Sequence, residues 1–519
     1  ITGGVIQNFV VTKSNTNSTA GFFGTLNGKV KNVKFVNVKI AGSNSNYNYA
    51  GVVAGIVGRN GFISDVSVAD SSVAGVCVGG VVGSNTSTNS LAWNGYNLDV
   101  KNCNIVLTPV ASNSTPISIN CAGGIAGHTT AYIRGNAIDT TVSQNNLDNT
   151  TEVSIGGCFG SVNNTEVYGK VFNGNISSIY KNPAFVGGIA GRVDGSGNIS
   201  GGSVLNSNIT TAYSGMVYDN NFVGGVAGYV ASSKNNAISS CLVNNTDIIG
   251  YYVGGVVGGL NSLQKMIIKW NNNVSDYSSH TQLDSITAYN SDVIGCAVED
   301  GVTITGFRAG GLVGSMNNGV VTACYAKAYL MGVNDASIKS GFTSNLRTQT
   351  VGKYGSNTAL NACVIENRYR ACTFASSMGK SYALANGAYY DMVDNRYLGY
   401  LIDCAFDKDI AGAQTYAPAN TSMFAHKSKV PSAKTTAEMM DVETFRNMGW
   451  TNTVAIADQA VSYTGYAGTW VFYNQNITNP DYMHLYSVSS GIRLESRVVT
   501  VAGVNTTYYT LVDYTRYDV

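Results

Sequence analysis

Charge is scarce in this sequence. Asp, Glu, Lys and Arg make up 12% of its 519 residues, about half the share of an ordinary globular chain. The formal net charge is +1, and no run of Lys or Arg occurs. A chain without a basic face has little to offer a phosphate backbone, so nucleic acid is not an expected partner. Histidine is down to 4 residues, and His128, His280, His426 and His484 are scattered without ligand spacing. The 10 cysteines include no C-x-x-C pair, so no zinc site and no other cofactor is expected. No apolar run reaches about 18 residues, so no membrane-spanning helix is expected. The signatures G-x-S-x-G, H-E-x-x-H and the Walker loop are missing too. Proline numbers only 6.

Other residues are abundant. Gly reaches 60 and Tyr 32, and the hydrophobic fraction of 44% is enough for a core, which excludes a disordered chain. The glycines do not recur every third residue, which excludes collagen. A low-charge surface rich in Asn, Ser, Thr, Gly and Tyr points to an extracellular or cell-surface, secreted protein. The sequence opens at Ile1 with neither Met nor a signal peptide, as expected of a mature processed product or of a piece cut from a longer chain.

A short phrase recurs nine times. It reads AGFFG at Ala20–Gly24, AGIVG at Ala54–Gly58, VGGVVG at Val78–Gly83, AGGIAG at Ala122–Gly127 and IGGCFG at Ile155–Gly160. VGGIAG follows at Val186–Gly191, VGGVAG at Val223–Gly228, VGGVVG at Val253–Gly258 and AGGLVG at Ala309–Gly314. Between last glycines the steps are 34, 25, 44, 33, 31, 37, 30 and 56 residues, mostly the spacing of a solenoid coil. A second phrase lies between: Val30-Lys-Asn-Val33, Ile63-Ser-Asp-Val66, Val100-Lys-Asn-Cys103, Ile238-Ser-Ser-Cys241 and Val321-Thr-Ala-Cys324. Around it apolar and polar residues alternate, as at Val36, Val38 and Ile40, the period of a strand with one buried face. Two or three short strands per coil, joined by Gly, Asn and Ser turns, predict an all-β chain wound as a parallel β-solenoid. A sandwich or propeller would show tight hairpin signals and a steadier period.

These phrases resemble the GLUG-motif repeats of secreted and surface-attached proteins. Gly21 to Val33 looks like a first coil of such domains. Tyr389-Tyr-Asp391, Lys434-Thr-Thr-Ala-Glu-Met439 and the stretch from Trp470 to Leu485 look like their endings. The resemblance covers roughly residues 1–487 and implies a β-helical, adhesin-like surface protein; it does not by itself imply an enzyme.

Four regions follow: 1–335, solenoid repeats; 336–433, irregular coils; 434–487, a capping helix and closing strand; 488–519, a β-rich tail and possible assembly strand. One helix is expected over Thr436–Met448, with Thr435 and Glu438 as a capping box, Met440, Phe445 and Met448 as its apolar stripe, and Gly449 ending it. It would cover one end of the stack beside the Trp470 strand. The tail reads as two or three strands turning at Ala502-Gly-Val-Asn505. It would fold back on its own solenoid or add to a sheet edge of another copy.

Cys103, Cys241 and Cys324 share a repeat position with Val33 and Val66, and Cys158 replaces an aliphatic residue after Gly-Gly, so all four are expected in the core. Cys77 and Cys121 each stand two residues before Gly-Gly. In-register coils would put their Cα atoms about 4.8 Å apart, within disulfide reach. Cys363 and Cys372 form a second candidate pair. The same position holds Phe185, Phe222 and Tyr252, an aromatic ladder read as structural rather than as a sugar platform. Asp391 with Asp394, and Asp403 with Asp407 and Asp409, are the carboxylates to weigh for acid/base work or calcium. They sit in turn-like sequence, and no catalytic role is assigned. Thirteen N-x-S/T sequons are candidate glycan sites: Asn17, Asn85, Asn113, Asn149, Asn163, Asn175, Asn198, Asn208, Asn244, Asn273, Asn420, Asn476 and Asn505.

The expectation from sequence is thus a non-enzymatic extracellular structural protein, a rigid solenoid subunit of a surface filament, appendage or coat. It would associate with itself through solenoid ends or the tail. The alternatives are an adhesin stalk binding glycans or host proteins, and the non-catalytic repeat region of a larger secreted peptidase.

Overall fold

A computed structural model describes residues 1–12, 19–41, 48–86, 95–109, 120–144, 152–179, 184–212, 221–261, 292–335 and 337–341. Elsewhere it describes residues 266–270 and 283–287, and after residue 341 it describes 359–360, 363–370, 373–374, 380–382, 390–391, 396–397, 399–411, 432–447, 453–456, 469–473, 484–486, 492–501 and 504–513. One coil shows the plan. Asn120–Gly123, Ala126–Thr129, Ile133–Ile138 and Thr141–Gln144 are its four strands. Each pairs in parallel with its equivalent in the next coil: Val153–Gly156, Phe159–Asn163, Glu166–Phe172 and Asn175–Ser178. Four parallel ladders therefore run along one axis, joined in a 42-stranded sheet. The chain is a parallel β-solenoid.

Along the third ladder Val5, Lys34, Ser67, Asp99, Asn136, Lys170, Ser203, Leu242, Ala297 and Tyr325 are register partners on successive rungs. At about 4.8 Å per rung these nine steps span ~43 Å. The ladder continues through Cys363–Arg370, Gly399–Asp407 and Ser432–Lys434. Inside the fourth ladder Ile40, Val73, Ile105, Val142, Ile176, Ile209, Ile248, Ile304 and Leu330 stack on one another, each buried. β-Branched side chains suit this pleated interior, and burying each contributes about 1.5–3 kcal/mol.

Turns between the third and fourth ladders repeat one device. Asn8, Asn37, Asp70, Asn102, Asp139, Asn173, Asn206 and Asn245 all have left-handed φ between 44° and 58°. Asn and Asp tolerate that region best after glycine. Their side chains link rungs in pairs: Asn37 donates to Asn8, Asn102 to Asp70, Asn173 to Asp139 and Asn245 to Asn206, at 2.7–2.8 Å. The next residue is often a hydroxyl that bonds back two residues, as Ser71 does to Ala69 O and Thr140 to Ile138 O.

Cys103 belongs to that turn position. Its thiol donates to Lys101 O at 3.2 Å, and its rung neighbours are Ser71 and Thr140, not Val33 and Val66. The sequence reading mistook one turn for another, because each coil can carry two left-handed turns five residues apart, such as Asn97 and Asn102. Cys241 and Cys324 do stand in the column of Val33 and Val66, with Cys296 between them. All three are buried.

The helix also differs from expectation. Thr436–Met439 and Val442–Asn447 are two short helices. Asp441 breaks the run because its side chain accepts from Glu443 N at 3.1 Å, starting a second N-terminus. The capping box of Thr435 and Glu438 is formed. The buried stripe is Met439, Val442 and Phe445, with Met440 half-buried; Met448 and Gly449 lie outside the described residues. The first helix packs on the strands ending at Asp407 and Lys434. Thr469–Tyr473 forms a separate sheet with Thr453–Ile456 and His484–Tyr486. In the tail, Ile492–Val501 and Val504–Asp513 form an antiparallel hairpin in a sheet of its own.

Candidate functional site

Gly-Gly corners bring the first and second ladders together and build the most chemically varied part of the molecule. Their glycines are required by close approach rather than by φ. A Cβ on Gly187 or Gly224 would run into the carbonyl oxygen of Ala190 or Ala227 and reach backbone nitrogen of the next rung at 2.6 or 2.7 Å. On the first ladder the column Tyr49, Cys77, Cys121, Ser154, Phe185, Phe222, Tyr252 and Arg308 stands in register. Seven residues later in each coil, the second ladder aligns Ile56, Ser84, His128, Ser161, Arg192, Tyr229, Gly259 and Ser315.

The two columns meet in a seam. Phe222 stacks on Tyr252 with centroids 5.0 Å apart, and Phe185 stacks on Tyr229 at 4.9 Å. The Arg192 guanidinium lies over Phe185 at 5.3 Å and is paired with Glu152 and Asp194. Gly259 leaves the space that Phe222 and Tyr229 fill. The expected ladder of Phe185, Phe222 and Tyr252 is thus present, and its rings are largely covered by its own seam partners. The pairing at seven residues was missed in the sequence, although it is legible there once the Gly-Gly phrases are aligned.

Higher in the seam lie Cys77 and Cys121, direct register partners with sulfurs 2.9 Å apart. Both are buried. Burial and the neighbouring Cys77 sulfur hold the Cys121 thiol well above its ordinary range. His128 shares the coil of Cys121. Burial lowers its basicity, partly opposed by Asp194. Both shifts run against the thiolate–imidazolium pair that a cysteine nucleophile needs.

A solvent-open groove of about 410 Å³ crosses the outer face of the first rungs, lined by Gly4, Asn32, Lys34, Asp65, Asn97 and Asp99 among others. Its carboxylates are engaged: Asp65 accepts from Asn97 and Asp99 from Asn136, each at 2.8 Å. Among the described residues no group of three or more His, Cys, Asp or Glu is placed to hold a metal.

The weighed carboxylates divide. Asp407 is buried and accepts from Asp409 N at 2.9 Å, while Asp409 accepts from Thr436 N at 2.9 Å and ties its own short helix, Lys408–Ala411, to Thr436–Met439. They cap helices. Asp391 and Asp403 lie on strands, and Asp394 lies outside the described residues. Of the sequons, Asn175 and Asn208 are exposed register partners, and Asn163 and Asn244 are half-buried. Asn85 and Asn198 are buried, and the folded solenoid has no room for a glycan at either. Asn505 lies on a tail strand; Asn17, Asn113, Asn149, Asn273, Asn420 and Asn476 lie outside the described residues. Cys363 is on the ladder strand beside Gly319 and Gly399; Cys372 also lies outside the described residues.

No family model matches the chain, and no curated protein or solved structure matches it either. The likeness to GLUG repeats rests on the motifs themselves.

Proposed function

We propose that the chain is a non-enzymatic extracellular structural protein, a rigid solenoid subunit of a surface filament, appendage or coat. The observation that carries this reading is the in-register stack. Core, turn and seam columns keep their places from rung to rung, so the same geometry extends by adding rungs, whether from this chain or from another copy. The weakly charged composition and the seam filled by its own side chains agree with a scaffold rather than a catalyst. GLUG-like phrases and stacked outward sequons at Asn175 and Asn208 suit a secreted surface protein. Sedimentation velocity on the purified chain over a wide concentration range tests the reading. Growth of linear species with concentration supports it, and a single species of one-chain mass at every concentration overturns it.

The groove at Asn32, Asp65 and Asn97 favours a second reading, an adhesin stalk, because a row of carboxamides and carboxylates suits sugar hydroxyls. Glycan-array binding that is lost in Asn97→Ala would shift the assignment to that role.

A further inference from the structure

We infer that Cys77 and Cys121 form a disulfide that staples two neighbouring coils across the seam. The pair stands on adjacent rungs as direct Cα partners, a separation of about 4.8 Å that lies within the range of bridged cysteines. Their sulfurs already approach to 2.9 Å. Cys77 also bonds Gly83 O at 3.2 Å, and a second row of thiols, Cys241, Cys296 and Cys324, stands on adjacent rungs of the third ladder, where Cys241 bonds Ser239 O at 3.3 Å and Cys296 bonds Ile294 O at 3.5 Å.

The place of the bond has a physical logic. Between Cys77 and Cys121 the chain makes its longest excursion in the early repeats, 44 residues from one position to its equivalent (121 − 77). A cross-link there restrains the stretch of those early repeats with most freedom to lose on folding. The chemistry is thiol–disulfide exchange with a donor disulfide, either a small-molecule disulfide or an oxidoreductase of a secretory route. One Cys thiolate attacks the donor disulfide, forming a mixed disulfide and releasing one donor thiol. The second Cys thiolate attacks the protein sulfur of that mixed disulfide and releases the other donor thiol. Two cysteine thiols are oxidised, one donor disulfide is reduced, and both cysteine protons end on the donor thiols. Because both sulfurs are buried once the coils stack, exchange occurs before the seam closes, and the finished bond is shielded from reductants.

In the cell this bond rests on the extracellular part of the proposed function, since a reducing compartment would keep the thiols apart. The test separates the two. The full chain is produced through an oxidising secretory route, denatured with an alkylating agent and no reductant, and mapped by mass spectrometry. A peptide carrying Cys77 linked to one carrying Cys121 is the expected result; alkylation of both residues overturns the inference whatever the natural compartment. As a second readout, reductant present during folding lowers the thermal midpoint of the wild-type chain but not of Cys77→Ser or Cys121→Ser. Equal midpoints for wild type folded with and without reductant also overturn it. Mapping of native material then reports on compartment alone.

Discussion

Replacing Gly224 by Ala puts a methyl group where the corner has no room. The new Cβ would meet the carbonyl oxygen of Ala227, Gly258 N at 2.7 Å and the Ala227 carbonyl carbon at 2.8 Å. All three are backbone atoms, so no side chain can swing aside. Relief has to come from opening the corner itself and parting it from the next rung, and overpacking of this kind costs about 1–3 kcal/mol. Alanine also narrows the unfolded ensemble, which returns about 0.4–1 kcal/mol. The net expectation is ~1–2 kcal/mol of destabilisation, local because each coil touches only its neighbours. Hydrogen exchange reads this directly. The amide of Val226, bonded to Val256 O at 2.9 Å, should exchange roughly tenfold faster, since ~1.4 kcal/mol is one decade. Gly28→Ala is the control, because nothing lies within 4 Å of a Cβ there. If the two variants match the wild type equally at Val226, the close-packing account of the Gly-Gly phrase is wrong.

Three further expectations concern turns, pH and the cap. Asn173 is left-handed at φ 51°, so Asn173→Ala should lower stability by about 1–2 kcal/mol while Asn173→Gly loses less, measured by thermal unfolding; equal losses would contradict the role given to φ. Burial lifts the Asp99 carboxyl above its ordinary range, against the pull of Asn136 and Lys170. A raised folded-state value favours the protonated acid, so its contribution is full below the ordinary carboxylate range and is lost as pH rises through the raised value. Asp99→Asn should therefore raise the thermal midpoint at neutral pH, with the gain vanishing near pH ~4, and a gain independent of pH would refute that cause. Thr435→Ala removes the hydroxyl that accepts from Glu438 N at 3.2 Å and should cost about 1 kcal/mol locally, visible as faster exchange in Thr436–Met439 but not in the coils.

Much of this architecture was legible because stacking turns sequence columns into physical ones. Cys77, Cys121, Phe185, Phe222 and Tyr252 could be aligned by their distance from Gly-Gly, since that corner fixes the register. Cys103 could not, because Lys31-Asn32 and Lys101-Asn102 look alike while occupying different turns. Cys296 escaped notice because a long insertion separates it from Cys241, although Val293-Ile-Gly-Cys296 repeats the apolar-x-x-Cys pattern. Partners such as Arg192 and Tyr229 vary in chemistry from rung to rung, so only the fold shows that they share a seam. The break at Asp441 was hidden by an apolar stripe that continues across it.

The claim that copies join into a surface fibre is tested most directly by negative-stain electron microscopy of native material, at dilutions that disperse weak aggregates. The account predicts long fibres with a repeat close to the length of one solenoid. Isolated short rods would contradict it and leave the chain as a stalk.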